Sequence, residues 1–399
     1  MRSPEPPEAR EAREPPKARE ARAPTGSSDI QRRLLAWFSA HKRDLPWRAD
    51  RDPYRVWISE AMLQQTRVET VRPYYERFMA RFPTLAALAE APIEDVLAAW
   101  SGLGYYRRAR TLQAAARAIV AEHGGTFPSD RESLLGLPGI GPYTAGAIAS
   151  IAFDAREALL DGNVARVLCR LFALEGDPTS APLRARSWQL ARDLLPREES
   201  CGDWNQALME LGALVCTPRD PRCGACPLRS HCRAKAEGRA SELPWPRARR
   251  PMIDVELSVA AVVDGDRWLI ERRPSNGRMA GMWQLPTLER TGSGLYPARW
   301  PAGVEIQTSA ELGEVRHTIT HHRIRAAVVS ARLVGSTTHA QFAWFARGDI
   351  DALALTGMAR KVFRAPFIAI LVDPAHARVV PPANARRRRR EPSNALQND

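Results

Sequence analysis

Apolar positions along the chain follow two different periods. In Ile30–Phe38, Val96–Trp100, Leu112–Val120 and Val164–Leu171 they recur three and four residues apart, which gives a helix one buried stripe. Proline and glycine break this pattern at short intervals, at Phe82–Pro83, Ala91–Pro92 and Gly124–Gly125. The spacing predicts a compact all-helical domain of many short helices over residues 29–237. Composition changes near Gly238, where GRASELPWPRARRP (238–251) is rich in proline and arginine and reads as a linker. Beyond it, VELSVAAVV, RWLIERR, RIRAAVVSARLV and HAQFAWFA are short β-branched or aromatic runs between turns. MARKVFRAPFIAIL then reads as a helix interrupted at Pro366. A second unit of mixed α and β structure is therefore expected over 252–373, with no internal repeat.

Length and charge narrow the picture. A chain of 399 residues suits two folded units, and an apolar fraction of 44% is ordinary for globular protein. The net charge of +13 favours a polyanionic partner, of which nucleic acid is the commonest. With no apolar run of about eighteen residues, no membrane span is expected. Residues 1–28 are charged and proline-rich and lack the apolar core of a signal peptide, so they read as a disordered tail. Residues 374–399 read as a second, basic tail; its run Arg386–Arg390 is either a solvated face or a non-specific phosphate contact. A cytosolic address follows, where six cysteines suit metal better than disulfides.

Cys216, Cys223, Cys226 and Cys232 form the spacing C-x6-C-x2-C-x5-C. The Cys223–Cys226 step sets two thiolates on one tight turn. Thr217–Pro221 is rich in turn formers and cannot bury a core, so the segment needs a staple. Four thiolates suit zinc or an iron–sulfur cluster, and spacing alone does not choose. Cys169 falls on the apolar face of Val164, Val167, Leu168 and Leu171 and reads as core, whereas Cys201 reads as a loop residue without a role.

LPGIGPYTAG (137–146) stands between two helical windows. Gly139 and Gly141 would permit positive φ and leave backbone amides unshielded, and Pro142 suits the first position of the next helix. Amides at a helix N-terminus make an anion site fit for a phosphodiester, although a lone GxG is by default an ordinary turn.

Two carboxylates have opposite expected surroundings. Glu60, within WISEAMLQQT, has Val56 and Leu63 at helical spacing. A glutamate in an apolar stripe has a raised pKa and is a candidate general acid; the plainer alternative pairs it with an arginine such as Arg67. Asp161, within LLDGNVARV, precedes a helical window and can accept amide hydrogen bonds that keep it ionised, or serve only as an N-cap. One neutral and one charged carboxyl group is the division of labour of glycosidic cleavage.

Taken together, these segments resemble the iron–sulfur helix-hairpin-helix superfamily of endonuclease III, and within it the A/G-specific adenine DNA glycosylases. The resemblance implies a mostly α fold: a helix-hairpin-helix glycosylase domain with a 4Fe–4S loop, followed by a C-terminal α+β Nudix-like domain. It raises one 4Fe–4S cluster above zinc and gives the cluster the role of presenting Arg219, Arg222, Arg229 and Arg233 to DNA phosphate. Glu60 matches the family's acid, Asp161 its catalytic aspartate and Asn163 an assisting asparagine. Tyr143 stands where bifunctional relatives carry a Schiff-base lysine, which implies a monofunctional glycosylase. Gln65 and Tyr105 match residues that fill the stack beside a flipped base, Gln206 one that contacts adenine, and Trp47 a pocket wall. Taken alone, Trp47 and Tyr105 read as packing aromatics.

AGMWQLP (280–286) resembles the GGLWEFP segment of Nudix-like domains, but the acidic magnesium-binding helix that should follow is replaced by LERTGSG. A lesion-recognition domain is implied instead of a nucleotide hydrolase. Its loop, usually Phe-Ser-His, is here Ile319-Thr320-His321, which keeps a hydroxyl and the imidazole. His317 and His322 are expected on a solvent-facing strand or turn. The implied partner is double-stranded DNA with an 8-oxoguanine:adenine mispair, met by a cytoplasmic, nucleoid-associated monomer without membrane contact. Two alternatives remain: an endonuclease III-like glycosylase-lyase, and a non-enzymatic DNA-binding protein with a zinc loop.

Overall fold

A computed structural model describes residues 26–245 and 251–372. Residues 1–25 of the expected 1–28 tail, the whole expected 374–399 tail with Arg386–Arg390, residue 373 and the 246–250 part of the expected linker lie outside the described residues. The chain forms two compact units, each discontinuous in sequence: 26–61 with 126–245, and 62–125 with 251–372.

The first unit is helical. Its helices include Ser27–His41, most of Pro53–Leu63, Arg131–Gly136, Pro142–Phe153, Gly162–Leu171, Ala181–Asp193 and Cys201–Leu214. Side chains mark where several of them begin. Asp130 accepts the Ser133 amide at 2.8 Å, Asp161 that of Val164 at 2.7 Å and Ser200 that of Asp203 at 3.2 Å, each satisfying a donor the helix itself leaves open. Pro142–Phe153 is apolar on nearly every side and lies in the middle, buried from Thr144 to Ile151. Around it, Leu34, Phe38, Val56, Leu159, Leu168, Trp204 and Leu208 close one hydrophobic core. Cys169 is part of the buried interior, as expected. Cys201 is not in a loop: it is the first residue of a helix and is buried, because Ser200 caps that helix one residue earlier.

The second unit joins helices to a sheet. Val68–Arg81, Leu85–Glu90, Ile93–Trp100 and Arg107–Glu122 bury Val71, Phe78, Leu88, Leu97, Trp100 and Ile119. The sheet has seven strands: β1 (Ile253–Asp264), β2 (Arg267–Arg272), β3 (Trp283–Gln284), β4 (Thr287–Glu289), β5 (Ile306–Ile319), β6 (His322–Leu333) and β7 (Phe342–Ala346). Their order is β3-β2-β1-β6-β5, with β4 also on β1 and β7 on β2; β1 and β6 run parallel and the other pairs antiparallel. Alternation along β1 sends Val255, Leu257, Val259 and Ala261 to one core, shared with Met358 and Val362 of helix Gly357–Phe363, and Ala260 and Val262 to another. Helices and sheet are tied by polar contacts: Ser101 Oγ donates to Leu355 O at 2.9 Å and accepts from Arg360 Nε at 2.9 Å, and Arg272 pairs with Glu94.

The LERTGSG segment is no acidic helix. Glu289 turns inward to accept the amides of Leu295 and Tyr296 at 2.8 and 2.9 Å, so it shapes a loop. His322 is buried on β6 beside Arg278, and His317 is partly buried with its pKa lowered by desolvation, so neither faces solvent as expected. No helix among the described residues is long and apolar enough to cross a membrane.

Candidate active site

In the first unit, three segments distant in sequence bring titratable groups together. Helix Pro53–Leu63 supplies Glu60, which is 4% exposed. Helix Pro142–Phe153 supplies Tyr143 from its first turn, and its hydroxyl donates to Glu60 Oε2. Glu60 therefore pairs with a phenol, not with Arg67. Burial pushes its carboxyl up to about 7; the Tyr143 hydrogen bond and the charge of Arg48 oppose this, while the charge of Asp161 adds to it. Burial also raises Tyr143 well above the ordinary tyrosine value, so the phenol stays a neutral donor near pH 7.

Asp161 is the N-cap of helix Gly162–Leu171. One oxygen accepts the Val164 amide and the other accepts Asn163 Nδ2 at 2.9 Å. The cap and the candidate catalytic group are thus the same carboxylate. The hydrogen bonds hold it toward the charged form as expected, but burial outweighs them and its pKa moves up. Asn163 is itself oriented by Arg166, whose Nη2 donates to Asn163 Oδ1 at 2.7 Å and to Gly212 O at 2.8 Å, while Nε donates to Cys216 O at 2.7 Å. Arg166 links the carboxylate site to the start of the cysteine loop.

A cavity of about 430 Å³ has Trp47, Arg48 and Gln206 in its lining; none of Glu60, Tyr143, Asp161 and Asn163 lines it, and Arg48, whose charge acts on Glu60, is the link between the two. Trp47 is buried in the short helix Pro46–Arg48. Beneath, Glu210 is 1% exposed and receives Arg43 at 2.8 Å and Arg48 at 3.1 Å. Burial works against its charge, yet hydrogen bonds from both arginines hold its carboxyl down at about 2. Sequence reasoning missed Arg43, Arg48, Arg166 and Glu210. Arg48 directly follows Trp47 and Arg166 lies within LLDGNVARV, whereas Glu210 carries no local signal.

The LPGIGPYTAG hairpin is exposed at Pro138 and Gly139. Gly139 has φ 76°, the left-handed turn expected, but Gly141 has φ −97° and ψ 179°, extended backbone open to any residue; it is the N-cap, before Pro142 at the first helical position. No side chain caps this helix, which leaves its N-terminal face to an external acceptor.

Cys216, Cys223, Cys226 and Cys232 line one small cavity, with Arg170, Val215 and Pro221 among its other walls, and none is in a disulfide. Arg170, 2% exposed, donates to Cys216 Sγ at 3.3 Å and to the Thr217 and Pro218 carbonyls at 2.7 and 3.2 Å. Convergent thiols with a guanidinium on one sulfur fit a cluster carrying thiolate charge. Arg219, Arg222, Arg229 and Arg233 are all exposed on this loop.

The remaining candidates belong to the second unit. Gln65 and Tyr105 have left-handed backbones, with φ of 59° and 49°, and Tyr105 is 48% exposed and hence not a packing aromatic. Thr320 (φ 52°) and His321 form the tip of the β5–β6 hairpin, where Ile319 pairs with His322.

Comparison with known proteins defines the class first. Residues 58–193 match the HhH-GPD superfamily base excision DNA repair proteins, 216–232 the iron-sulfur binding domain of endonuclease III, and 258–365 the NUDIX domain. An adenine DNA glycosylase of Rattus norvegicus is 41% identical over 84% of this chain and 77% of its own length; that of Homo sapiens is 38% identical over 83% and 72%. Among solved structures, a thermostable thymine-DNA glycosylase is 30% identical with a TM-score of 0.49, covering 53% of this chain and 97% of the other. The chain belongs to the adenine DNA glycosylase family. It is a DNA glycosylase of base excision repair, and its cofactor is one 4Fe–4S cluster.

Proposed function

We propose that this enzyme removes adenine paired with 8-oxoguanine, or with guanine, from double-stranded DNA by hydrolysing the N-glycosidic bond, and that it does not cut the strand. The observation that carries the reading is the buried Glu60–Tyr143 pair beside Asp161 and Asn163. The adenine leaves the stack as Gln65 and Tyr105 fill the gap, and enters a pocket walled by Trp47 and read by Gln206. Glu60, with its pKa at about 7, gives its proton to the base and makes it a better leaving group. The bond to the sugar breaks through an oxocarbenium-like state, whose positive charge the Asp161 carboxylate stabilises. Asn163 keeps that carboxylate aimed, and water completes the abasic site. Tyr143 holds Glu60 in place but has no amine to attack the sugar carbon, so no Schiff base forms and the strand stays intact.

The four cysteines would hold the cluster, whose contribution is to order the basic loop of Arg219, Arg222, Arg229 and Arg233 against phosphate; the hairpin at Gly139–Gly141 would hold a second stretch of backbone. Thr320 and His321, at a hairpin tip, would read the oxidised base. The protein would work as a monomer bound to DNA in the cytoplasm, continuous domains at 29–237 and 252–373 dividing catalysis from lesion reading.

The test uses duplexes with adenine opposite 8-oxoguanine, guanine or thymine, labelled on the adenine strand and incubated with excess protein. Breaks that appear only after hot alkali, fastest opposite 8-oxoguanine, are expected. Breaks without alkali would instead support a glycosylase-lyase. Absence of abasic product from folded protein containing its cluster would leave DNA binding as the function.

A further inference from the structure

Arg108, within GYYRRAR, has no part in the reading above, yet its guanidinium spans two loops of the second unit. Nη1 donates to Met62 O at 2.9 Å and Gln64 O at 2.7 Å. Nη2 donates to Gly104 O at 3.1 Å, Leu103 O at 3.3 Å and Thr66 Oγ1 at 3.4 Å. The first set lies just before Gln65; the second includes Thr66 just after it and runs up to Gly104, the neighbour of Tyr105. The guanidinium carbon also lies 5.5 Å from the centre of the Tyr105 ring and 5.3 Å from that of Trp100.

Gln65 and Tyr105 share an unusual feature, a left-handed backbone at a non-glycine residue. Such conformations persist only where the surroundings over-determine them. Here one side chain reaches both loops, beside Trp100 Nε1, which donates to Gly104 O at 3.2 Å, and Thr66 Oγ1, which donates to Gln64 O at 3.4 Å. The carbonyls it takes belong to the end of helix Pro53–Leu63 and to the turn before helix Arg107–Glu122, places where backbone acceptors have no partner within a helix. A planar fork of fixed donors can serve both loops at once; the compact ammonium of lysine cannot.

We propose that Arg108 is a positioning residue that locks Gln65 and Tyr105 into a single rigid wedge, so that both enter the base stack together as adenine leaves it. This rests on the reading of Gln65 and Tyr105 as stack-filling residues. A rigid wedge lowers the barrier to extrusion and leaves the later chemistry at Glu60 untouched. Loss of the lock should therefore slow excision only where the base must first be unstacked.

The experiment compares the full-length holoprotein with Arg108→Lys in single-turnover excision from two duplexes. One holds adenine opposite 8-oxoguanine in a normal stack; the other holds the same adenine between flanking mismatches that already open it. A 2-aminopurine beside the adenine reports unstacking by fluorescence. Arg108→Lys is expected to lose about tenfold or more on the stacked duplex, the effect of breaking hydrogen bonds to a charged group, with little change on the opened one and a smaller fluorescence rise. Equal losses on both duplexes, which a merely structural role would give, or no loss on the stacked one, overturn the proposal. Gln65→Ala and Tyr105→Ala separate it from the reading beneath. If they unstack adenine normally, that reading fails; if they fail to unstack it while Arg108→Lys succeeds, only the lock is wrong. Should Arg108→Lys not fold, judged by circular dichroism and the visible absorbance of the cluster, Gly104→Ala replaces it. Gly104 has φ 74° with open space where a methyl would go, so the substitution strains the loop and shifts the same carbonyl. The same selective loss is expected, and equal losses overturn the proposal.

Discussion

At the scale of single residues, Glu60 has the clearest physical signature. Its ordinary value of 4.5 rises to about 7 in the fold, chiefly by desolvation. Below pH 4.5 the carboxyl is neutral whether the chain is folded or not. Between 4.5 and 7 only the unfolded chain releases its proton, so stability falls as pH rises through that window. The gap corresponds to roughly 3 kcal/mol. Glu60→Gln keeps an oxygen for the Tyr143 hydroxyl but cannot ionise. Denaturant unfolding at pH 4 and pH 8 should find it close to the parent at the first and more stable at the second, while excision falls by roughly 10²–10⁴-fold with DNA binding retained. Parallel stability curves for the two proteins would mean that Glu60 is not buried with a raised pKa. The apolar stripe of Val56 and Leu63 made Glu60 a candidate, and the helical window after Asp161 made that residue one. For both, the residues alone left a plainer alternative open, and their roles in one site came only from the resemblance. Nothing in the sequence near Glu60 points to a phenol 83 residues on, or near Arg48 to Glu210, 162 residues away. Partners that far apart are set by how helices pack, and local periodicity carries no record of that.

Elements were read more fully than the pairings between them, with exceptions of physical interest. Every helical window and the four apolar strand runs fall on observed elements, because burial on one face writes itself into spacing. β5 left no such mark: it is a sheet edge, its residues from Gln307 to Glu311 are exposed, and its register shifts twice between Thr308 and Gly313. Gly141 misled in the opposite way, since glycine permits positive φ without requiring it. The cysteine loop is the element whose stability was most legible, a turn-rich segment around four thiols with few buried side chains of its own. Cys226→Ser should lower iron content and visible absorbance. Because the basic loop would then lose its order, the slope of log affinity against log salt for duplex DNA should shrink by about 0.9 for each phosphate no longer neutralised. An unchanged slope in a cluster-free protein would show that Arg219, Arg222, Arg229 and Arg233 do not need the cluster to meet DNA.

At the scale of the molecule, the chemistry of the linker and the division into compact units are different things. Composition marks the change from helix to strand near Gly238, since the last helix before it ends at Ala236 and β1 begins at Ile253. Compactness divides the chain elsewhere, placing 62–125 with the sheet. The reason is long-range: Ser101, 5% exposed, is held by Leu355 and Arg360, and Glu94 is paired with Arg272. Ser101 is small and polar and stands in an ordinary helix-end position, so no sequence pattern announces a partner some 254 residues away. A chain ending at residue 245 tests which division governs stability. If the helices were self-sufficient, its unfolding temperature would match the helical transition of the full chain. Instead, loss of three hydrogen bonds (Arg110 Nη2 also donates to Ala280 O) and an ion pair, together about 3 kcal/mol, should lower it by roughly 6–12 °C. The weakening should also be local. Limited proteolysis of the shortened chain is expected to cut first within 62–125, while Pro142–Phe153 and the helices around it stay protected, because among the described residues their core draws on none beyond Cys232. Equal protection of both regions, with an unchanged transition, would mean that the sheet only rests against these helices and contributes nothing to holding them.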